Sequence, residues 1–133
     1  MNGQEKTKPL AILSGRIIHG KGLGRTVGMP TANLETFGGQ ILPSPGVYAS
    51  RMVIGDRVYD SVTNIGSRPT VDSKEDTTIE TYIINFAGDI YGEEVTLIIY
   101  QFLRQIQKFS NLEEVQKKVQ EDIQKAQSYL RTL

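Results

Sequence analysis

Residues 12–103 alternate between short runs of β-branched and aromatic side chains and clusters of Gly, Pro, Asn and Asp. Runs of this kind, closed by turn-forming residues, are typical of β-strands. Gly55 and Asp56 stand between two such runs as a two-residue loop, which predicts a hairpin. The runs at 77–86 and 93–103 predict a second, longer hairpin. The pattern therefore favours a domain of antiparallel strands.

The period of the apolar residues changes after Phe109. Ser110 and Glu113 have the spacing of a capping box, which predicts a helix start. A stripe of apolar residues three or four apart then predicts an amphipathic helix of about five turns that packs on the strands. The stripe consists of Leu112, Val115, Val119, Ile123, Ala126 and Leu130. Strands followed by one helix predict a mainly β protein, a small barrel with a C-terminal α-helix.

Composition limits the kinds of site that the chain can hold. A length of 133 residues predicts one domain, over 11–133, after a flexible N-terminal segment or linker remnant at 1–10. The chain has no cysteine and one histidine, which excludes disulfides and thiolate metal sites and leaves little room for a His-rich metal site or a Ser–His–Asp triad.

Charge and hydropathy limit the partners. Fifteen basic and fifteen acidic residues cancel, so we expect no nucleic-acid partner. No apolar run approaches the roughly 18 residues that span a bilayer, and the polar N-terminus does not resemble a secretory signal. We therefore expect a cytoplasmic protein with no membrane partner.

The stretch GKGLGRTVGMPTANL, residues 20–34, holds four glycines in nine positions. It fits neither a Walker A loop nor a G-x-G-x-x-G fingerprint, because Gly22 follows Lys21 and Val27 takes the place of the third glycine. Closely spaced glycines can still turn successive N–H groups toward one anion, and Lys21 and Arg25 would add positive charge. A surface loop without a ligand is the alternative from glycine content alone.

Thr31 and Asn33 follow the rigid Met29–Pro30 step and lie two residues apart, on one side of the chain if it is extended. Neutral oxygens beside a phosphate loop suit Mg²⁺, which takes oxygen ligands together with waters and substrate phosphates. Ordinary turn hydrogen bonds are the alternative for both side chains.

The order of motifs along the chain resembles the riboflavin kinase (flavokinase) family, and in particular the C-terminal kinase domain of bacterial bifunctional riboflavin kinase/FAD synthetase. The resemblance covers nearly all of residues 14–123 and implies a six-stranded antiparallel Greek-key β-barrel with a C-terminal helix. The motifs are the glycine run with PTAN, PGVYA at 45–49, NIGSRPT at 64–70, IETYIINF at 79–86, GDIYGE at 88–93 and FLRQIQKF at 102–109.

The resemblance implies transfer of the γ-phosphate of ATP to the ribityl 5′-hydroxyl of riboflavin, with Mg²⁺, giving FMN and ADP. It implies Thr31 and Asn33 as metal contacts, and Asn64 and Arg104 as flavin contacts. The ATP-binding residues that it implies are Gly20, Gly22, Gly24, Arg25, Thr31, Asn33, Ile90 and Tyr91.

The resemblance also implies that Glu80 is the catalytic base. If 77–86 is a strand, Glu80 shares an apolar face with Tyr82, Ile84 and Phe86. Partial desolvation there would make its carboxylate a better proton acceptor near neutral pH. An edge glutamate paired with a cross-strand Lys or Arg is the alternative from the residues alone.

Other functions remain as alternatives. A non-catalytic flavin- or nucleotide-binding barrel would not need Thr31, Asn33 and Glu80 together. A barrel that binds single-stranded nucleic acid would be more basic. CTP could replace ATP as the donor. We expect a monomer that makes FMN only, either free-standing or as part of a longer FAD synthetase chain, because one histidine cannot supply an HxGH-type adenylyltransferase motif.

Overall fold

The structure, a computed structural model, describes residues 8–19, 31–69 and 75–133. Within these ranges, six strands form a closed barrel in the order β1-β2-β5-β4-β3-β6, and every neighbouring pair is antiparallel. The predicted fold class is therefore confirmed. The elements are β1 (Ala11–Ile18), β2 (Ala32–Thr36), β3 (Gly46–Ile54), β4 (Arg57–Pro69), β5 (Glu75–Ile83), β6 (Glu94–Arg104) and α1 (Leu112–Leu130).

The predicted β3–β4 hairpin is confirmed. Ile54 pairs with Arg57 across a two-residue loop, and Gly55 has a φ of +61°. A left-handed backbone at this point costs glycine little, because it has no Cβ. The tight loop fixes the register of the two strands that form one wall of the barrel.

The predicted hairpin between β5 and β6 is wrong. β5 pairs with β2 and β4, whereas β6 pairs with β1 and β3, so the two strands are not neighbours. The connection between them lies against the end of β1, where the Gly92 amide donates to the Ile17 carbonyl over 2.8 Å. Segment 88–93 is therefore hydrogen-bonded to the end of β1, close in sequence to the glycine run that begins at residue 20.

Apolar side chains fill two separate cores. One lies inside the barrel and includes Leu13, Ile17, Leu34, Met52, Ile65, Ile79, Leu97 and Ile99. The other lies on the outer face of the barrel beneath α1, and its buried members are Val47, Ala49, Val62, Ile84, Ala126 and Leu130. The side chains of a strand alternate between two faces, so each strand of this wall contributes to both cores.

A chain of hydroxyl groups crosses the barrel interior. The Ser50 hydroxyl lies 2.7 Å from both the Ser61 and the Thr63 hydroxyls, and the Thr63 hydroxyl lies 2.9 Å from that of Thr81. All four side chains are fully buried. Buried hydroxyls need partners, and these four satisfy one another across β3, β4 and β5.

The helix begins one residue later than the predicted capping box. Asn111 is the N-cap, and its side chain accepts a hydrogen bond from the Glu114 amide over 2.9 Å. Glu114 in turn accepts from the Ser110 amide over 3.0 Å. The pairing of Ser110 with Glu113 is therefore wrong by one position, because asparagine caps a helix as well as serine does. No helix in the described part of the chain is long and apolar enough to cross a membrane.

Candidate active site

Strand register places five residues in one row on the outer face of the barrel. Asn33 of β2 lies opposite Glu80 of β5, which lies opposite Asn64 of β4. Asn64 lies opposite Val47 of β3, which lies opposite Arg104 of β6. Directly opposed residues of antiparallel strands share a face, with Cβ atoms about 5 Å apart. Glu80 is therefore flanked by two asparagines, and Arg104 ends the row.

Thr31 joins the same end of the row from just before β2. Its hydroxyl donates a hydrogen bond to Glu80 Oε2 over 3.3 Å, across 49 positions of sequence. This contact is longer than the usual O–H···O distance of about 2.8 Å, and within the described residues it leaves Glu80 Oε1 for another donor. The structure thus brings Glu80 to Thr31 and Asn33, although the sequence places it far from both.

A cavity of about 300 Å³ lies over this row, between the sheet, the start of α1 and the connection from β6 to α1. Thr31, Glu80 and Asn64 line it together with Arg104 and Asp122. The other lining residues are Val47, Val62, Tyr82, Ile106, Gln107, Phe109, Val115 and Val119. The cavity is thus apolar along its walls, with a few polar groups, as ligand sites usually are.

Glu80 faces the helix side of the sheet, because its neighbours Ile79 and Thr81 are buried inside the barrel. Tyr82 packs on the outer core, as the predicted face requires. Phe86 does not share that face, because β5 ends at Ile83 and Phe86 packs against the inner core. The predicted partial burial of Glu80 on this outer face agrees with the structure.

Arg104 is held by a residue that sequence reasoning missed. Its Nε and Nη2 donate to the two carboxylate oxygens of Asp122, each over 2.8 Å. Asp122 is 2% exposed and Arg104 is 15% exposed, and the guanidinium also lies 5.8 Å from the centre of the Phe109 ring. The available signal was a carboxylate three residues after Val119 and four before Ala126, in the register of the apolar stripe.

The two residues predicted to contact adenine have different environments. Ile90 is 8% exposed and belongs to the inner core, so its side chain supports the fold. Tyr91 is exposed and stacks on the ring of His19, with centroids 3.7 Å apart. His19 directly precedes the glycine run. Gly20, Gly22, Gly24 and Arg25 lie outside the described residues.

The donor set for a metal ion consists of neutral oxygens. Among residues 8–19, 31–69 and 75–133, no three His, Cys, Asp or Glu side chains come together as a metal cluster. The Thr31 hydroxyl and the Asn33 side-chain carbonyl are oxygen donors of the kind that Mg²⁺ accepts when waters and phosphates complete its shell. The residues present therefore fit that ion.

Comparison with known proteins identifies relatives over most of the chain. The Flavokinase family, described as riboflavin kinase, matches residues 8–130. A bifunctional riboflavin kinase/FMN adenylyltransferase of Bacillus subtilis is 35% identical over 91% of this chain. A second B. subtilis relative, named an RNA-binding riboflavin kinase, is 34% identical over 86% of this chain. The chain spans 39% and 49% of the lengths of these two relatives.

Two solved structures resemble this fold. A protein of Streptococcus pneumoniae, described as a macrolide-efflux protein, superposes with a TM-score of 0.83 and is 31% identical, over 90% of this chain and 38% of its own. Riboflavin kinase from Trypanosoma brucei superposes with a TM-score of 0.62 at 20% identity, over 96% of this chain and 83% of its own. The second likeness supports the fold alone.

Proposed function

The chain belongs to the riboflavin kinase family, and from that premise we propose that it catalyses Mg²⁺-dependent transfer of the ATP γ-phosphate to the ribityl 5′-hydroxyl of riboflavin. The products are FMN and ADP. The domain that carries this activity extends over 11–133. The chain spans about two fifths of its bifunctional relative, and the proposal covers the kinase reaction only.

The observation that carries the proposal is the contact of Thr31 with Glu80, beside Asn33 and Asn64, at one end of a cavity. Phosphoryl transfer needs a group that accepts the proton of the attacking hydroxyl and a positioned phosphate. Glu80 is the proposed base, because among the described residues its Oε1 accepts no hydrogen bond and can take the proton of a substrate hydroxyl. As that oxygen attacks the γ-phosphorus, the proton passes to the carboxylate and ADP leaves.

Thr31 and Asn33 are the proposed metal contacts. Mg²⁺ bound there would neutralise the charge of the ATP phosphates. The Thr31 hydroxyl can contribute its oxygen to the ion while it donates its proton to Glu80, so one side chain would link the nucleotide to the base. Asn33 lies directly opposite Glu80 on the neighbouring strand, so a metal ion held by Thr31 and Asn33 would lie beside the base.

The cavity suits riboflavin as the phosphate acceptor. Its walls are apolar, as a planar ring system requires, and polar groups stand at both ends of the row. Arg104 and Asn64 are the proposed flavin contacts. The ring would lie toward Arg104 and the ribityl chain would extend past Asn64 to Glu80. This orientation brings the terminal hydroxyl of the chain to the base, whereas the reverse orientation would place the ring there.

The nucleotide is proposed to approach from the end of β1. Segment 88–93 is hydrogen-bonded to Ile17, and Tyr91 stacks on His19, next to the start of the glycine run. Tyr91 is the proposed adenine contact, and Ile90 acts from the core beneath it. Gly20, Gly22, Gly24 and Arg25 would bind the phosphates through backbone N–H groups and one charge.

The test is FMN formation from riboflavin and MgATP by the parent chain and by Glu80→Gln. We expect the variant to lose at least about 10²-fold in kcat, the low end for a general base. Glu121→Gln, which changes a half-exposed carboxylate on α1 that does not line the cavity, is the matched control and should retain activity. A parent that binds riboflavin but makes no FMN, with ATP or with CTP, would establish the non-catalytic binding barrel instead.

A nucleic-acid partner is not part of the proposal, although one relative is named RNA-binding. The balanced charge of this chain gives no general attraction for phosphate backbones. A filter-binding titration with single-stranded RNA at two salt concentrations tests this. Tight binding that weakens steeply with salt would show that the chain binds RNA.

A further inference from the structure

The Arg104–Asp122 pair occupies an unusual position for two charges. It lies in a cavity whose other lining residues include Val47, Val115 and Val119, and the carboxylate is almost fully buried. Burying an ion pair costs free energy of desolvation that mutual attraction only partly offsets, so such a pair is a poor way to stabilise a fold. Apolar residues of similar volume would serve packing equally well. Packing and stability therefore do not explain why two charged residues occupy this position.

The hydrogen bonds of Arg104 suggest that role. A guanidinium has five N–H donors in one plane. Asp122 takes two of them and the Gln105 carbonyl takes a third, over 3.1 Å. Among the described residues, these contacts fix the plane of the group and leave two donors for another partner. Because Arg104 lines the cavity, a ligand bound there lies within reach of these donors.

We propose that Asp122 is a positioning residue, which holds the Arg104 guanidinium in place so that its two remaining N–H groups bind hydrogen-bond acceptors on one edge of the planar ring of the phosphate acceptor. This inference rests on the proposed function for the identity of the acceptor. The two hydrogen bonds to Asp122 fix the orientation of the arginine side chain before the ligand binds. Less conformational entropy is then lost when the ring binds, which strengthens the affinity.

The same pair joins the helix to the sheet. Asp122 belongs to α1, whereas Arg104 is the last residue of β6, and the two are 18 positions apart. The connection from β6 to α1 contributes Ile106, Gln107 and Phe109 to the cavity. The ion pair links the strand before this connection to the helix after it. Asp122 consequently orients the proposed ring contact Arg104 and holds the segment that carries these lining residues.

The first test is Asp122→Asn, which keeps the shape of the side chain and removes its charge. We expect the dissociation constant of riboflavin, measured by quenching of flavin fluorescence, and the KM for riboflavin to rise about tenfold, as for one lost hydrogen bond to a charged group. The KM for ATP should stay within about twofold of the parent value. Glu121→Gln, one residue earlier on the same helix, should change neither.

A second variant separates the contribution of the ion pair to riboflavin binding from its contribution to stability. Arg104→Met combined with Asp122→Leu replaces both charges by apolar groups, and its urea midpoint should stay near that of the parent. Its riboflavin dissociation constant should still rise at least about tenfold. Parental riboflavin affinity in this variant would overturn the inference even if Asp122→Asn fails to fold.

Two results would overturn the inference. One is parental affinity for riboflavin in the apolar double variant, and the other is an equal rise of both KM values in a folded Asp122→Asn. Failure of the proposed function looks different, because the parent would then make no FMN. In that case the fluorescence titration would still report whether Asp122 acts on flavin binding.

Discussion

The chain of buried hydroxyls makes a quantitative prediction about stability. Thr63 stands in the middle of the chain, with partners at 2.7 Å on Ser50 and at 2.9 Å on Thr81. Thr63→Val keeps the volume of the side chain but removes both hydrogen bonds, and it leaves the Thr81 hydroxyl without its partner in a fully buried site. We therefore expect it to destabilise the fold more than Thr81→Val, which removes one of these bonds.

The magnitude follows from the number of bonds. Two net hydrogen bonds at about 1 kcal/mol each, with some added cost for a buried hydroxyl left without a partner, give about 2–4 kcal/mol for Thr63→Val. Thr81→Val, which acts at the end of the chain of hydroxyls, should cost about 1–2 kcal/mol. With a urea m-value of about 2 kcal/mol/M, the midpoint should fall by about 1–2 M for Thr63→Val.

The assay is urea unfolding of the parent, the two single variants and the double variant. The double variant should be less destabilised than the sum of the single variants, because both singles remove the same Thr63–Thr81 bond. Equal costs for the two single variants, or simple additivity in the double variant, would refute the reasoning. Thr63 and Thr81 directly neighbour Asn64 and Glu80 along their strands, so loosening these strands should also lower the proposed kinase activity.

Three further predictions use the same unfolding assay. Burial raises the pKa of Tyr48, so the folded protein keeps that proton to higher pH than the unfolded chain. Stability should therefore fall as pH rises above about 10, and Tyr48→Phe should lessen this fall. Gly15→Ala would bring a Cβ to 2.2 Å from the Glu35 carbonyl oxygen, so the β1–β2 pair must separate and the urea midpoint should fall by at least about 1 M. Asn111→Ala removes the helix cap and should cost about 1 kcal/mol, whereas an unchanged midpoint would show that Glu114 alone caps the helix.

Local patterns predicted local structure well. The loop at Gly55 and the helix at 112–130 follow from turn chemistry and from apolar periodicity, and both act over a few residues. The pairing of β5 with β2 and β4 could not be read in the same way. Two strands joined by a short connection usually pair, but here the connection folds against the end of β1, and that contact depends on the closed barrel.

The candidate site was predictable only through its motifs. Nothing in the spacing of Thr31 and Glu80 indicates that they meet, because 49 positions separate them and the barrel order brings β2 beside β5. The resemblance supplied both residues without the geometry. Asp122 was missed because the apolar stripe was traced through the neighbouring Ile123, and a carboxylate is normally assigned to the exposed face of a helix.

The Glu80 carboxylate and the Arg104 guanidinium lie in the same row, and the proposed reaction requires that they do not pair with each other. Glu80 and Arg104 are separated by three strand spacings, or about 14 Å between backbones. A long arginine without a partner would lean toward the carboxylate and compete with a substrate hydroxyl for it. Since Asp122 takes the guanidinium at the far end, the Glu80 carboxylate stays available for its proposed role as acceptor of the substrate proton. An acceptor that spans the row must then carry its hydroxyl on a chain that leads away from its ring, which is the arrangement in riboflavin.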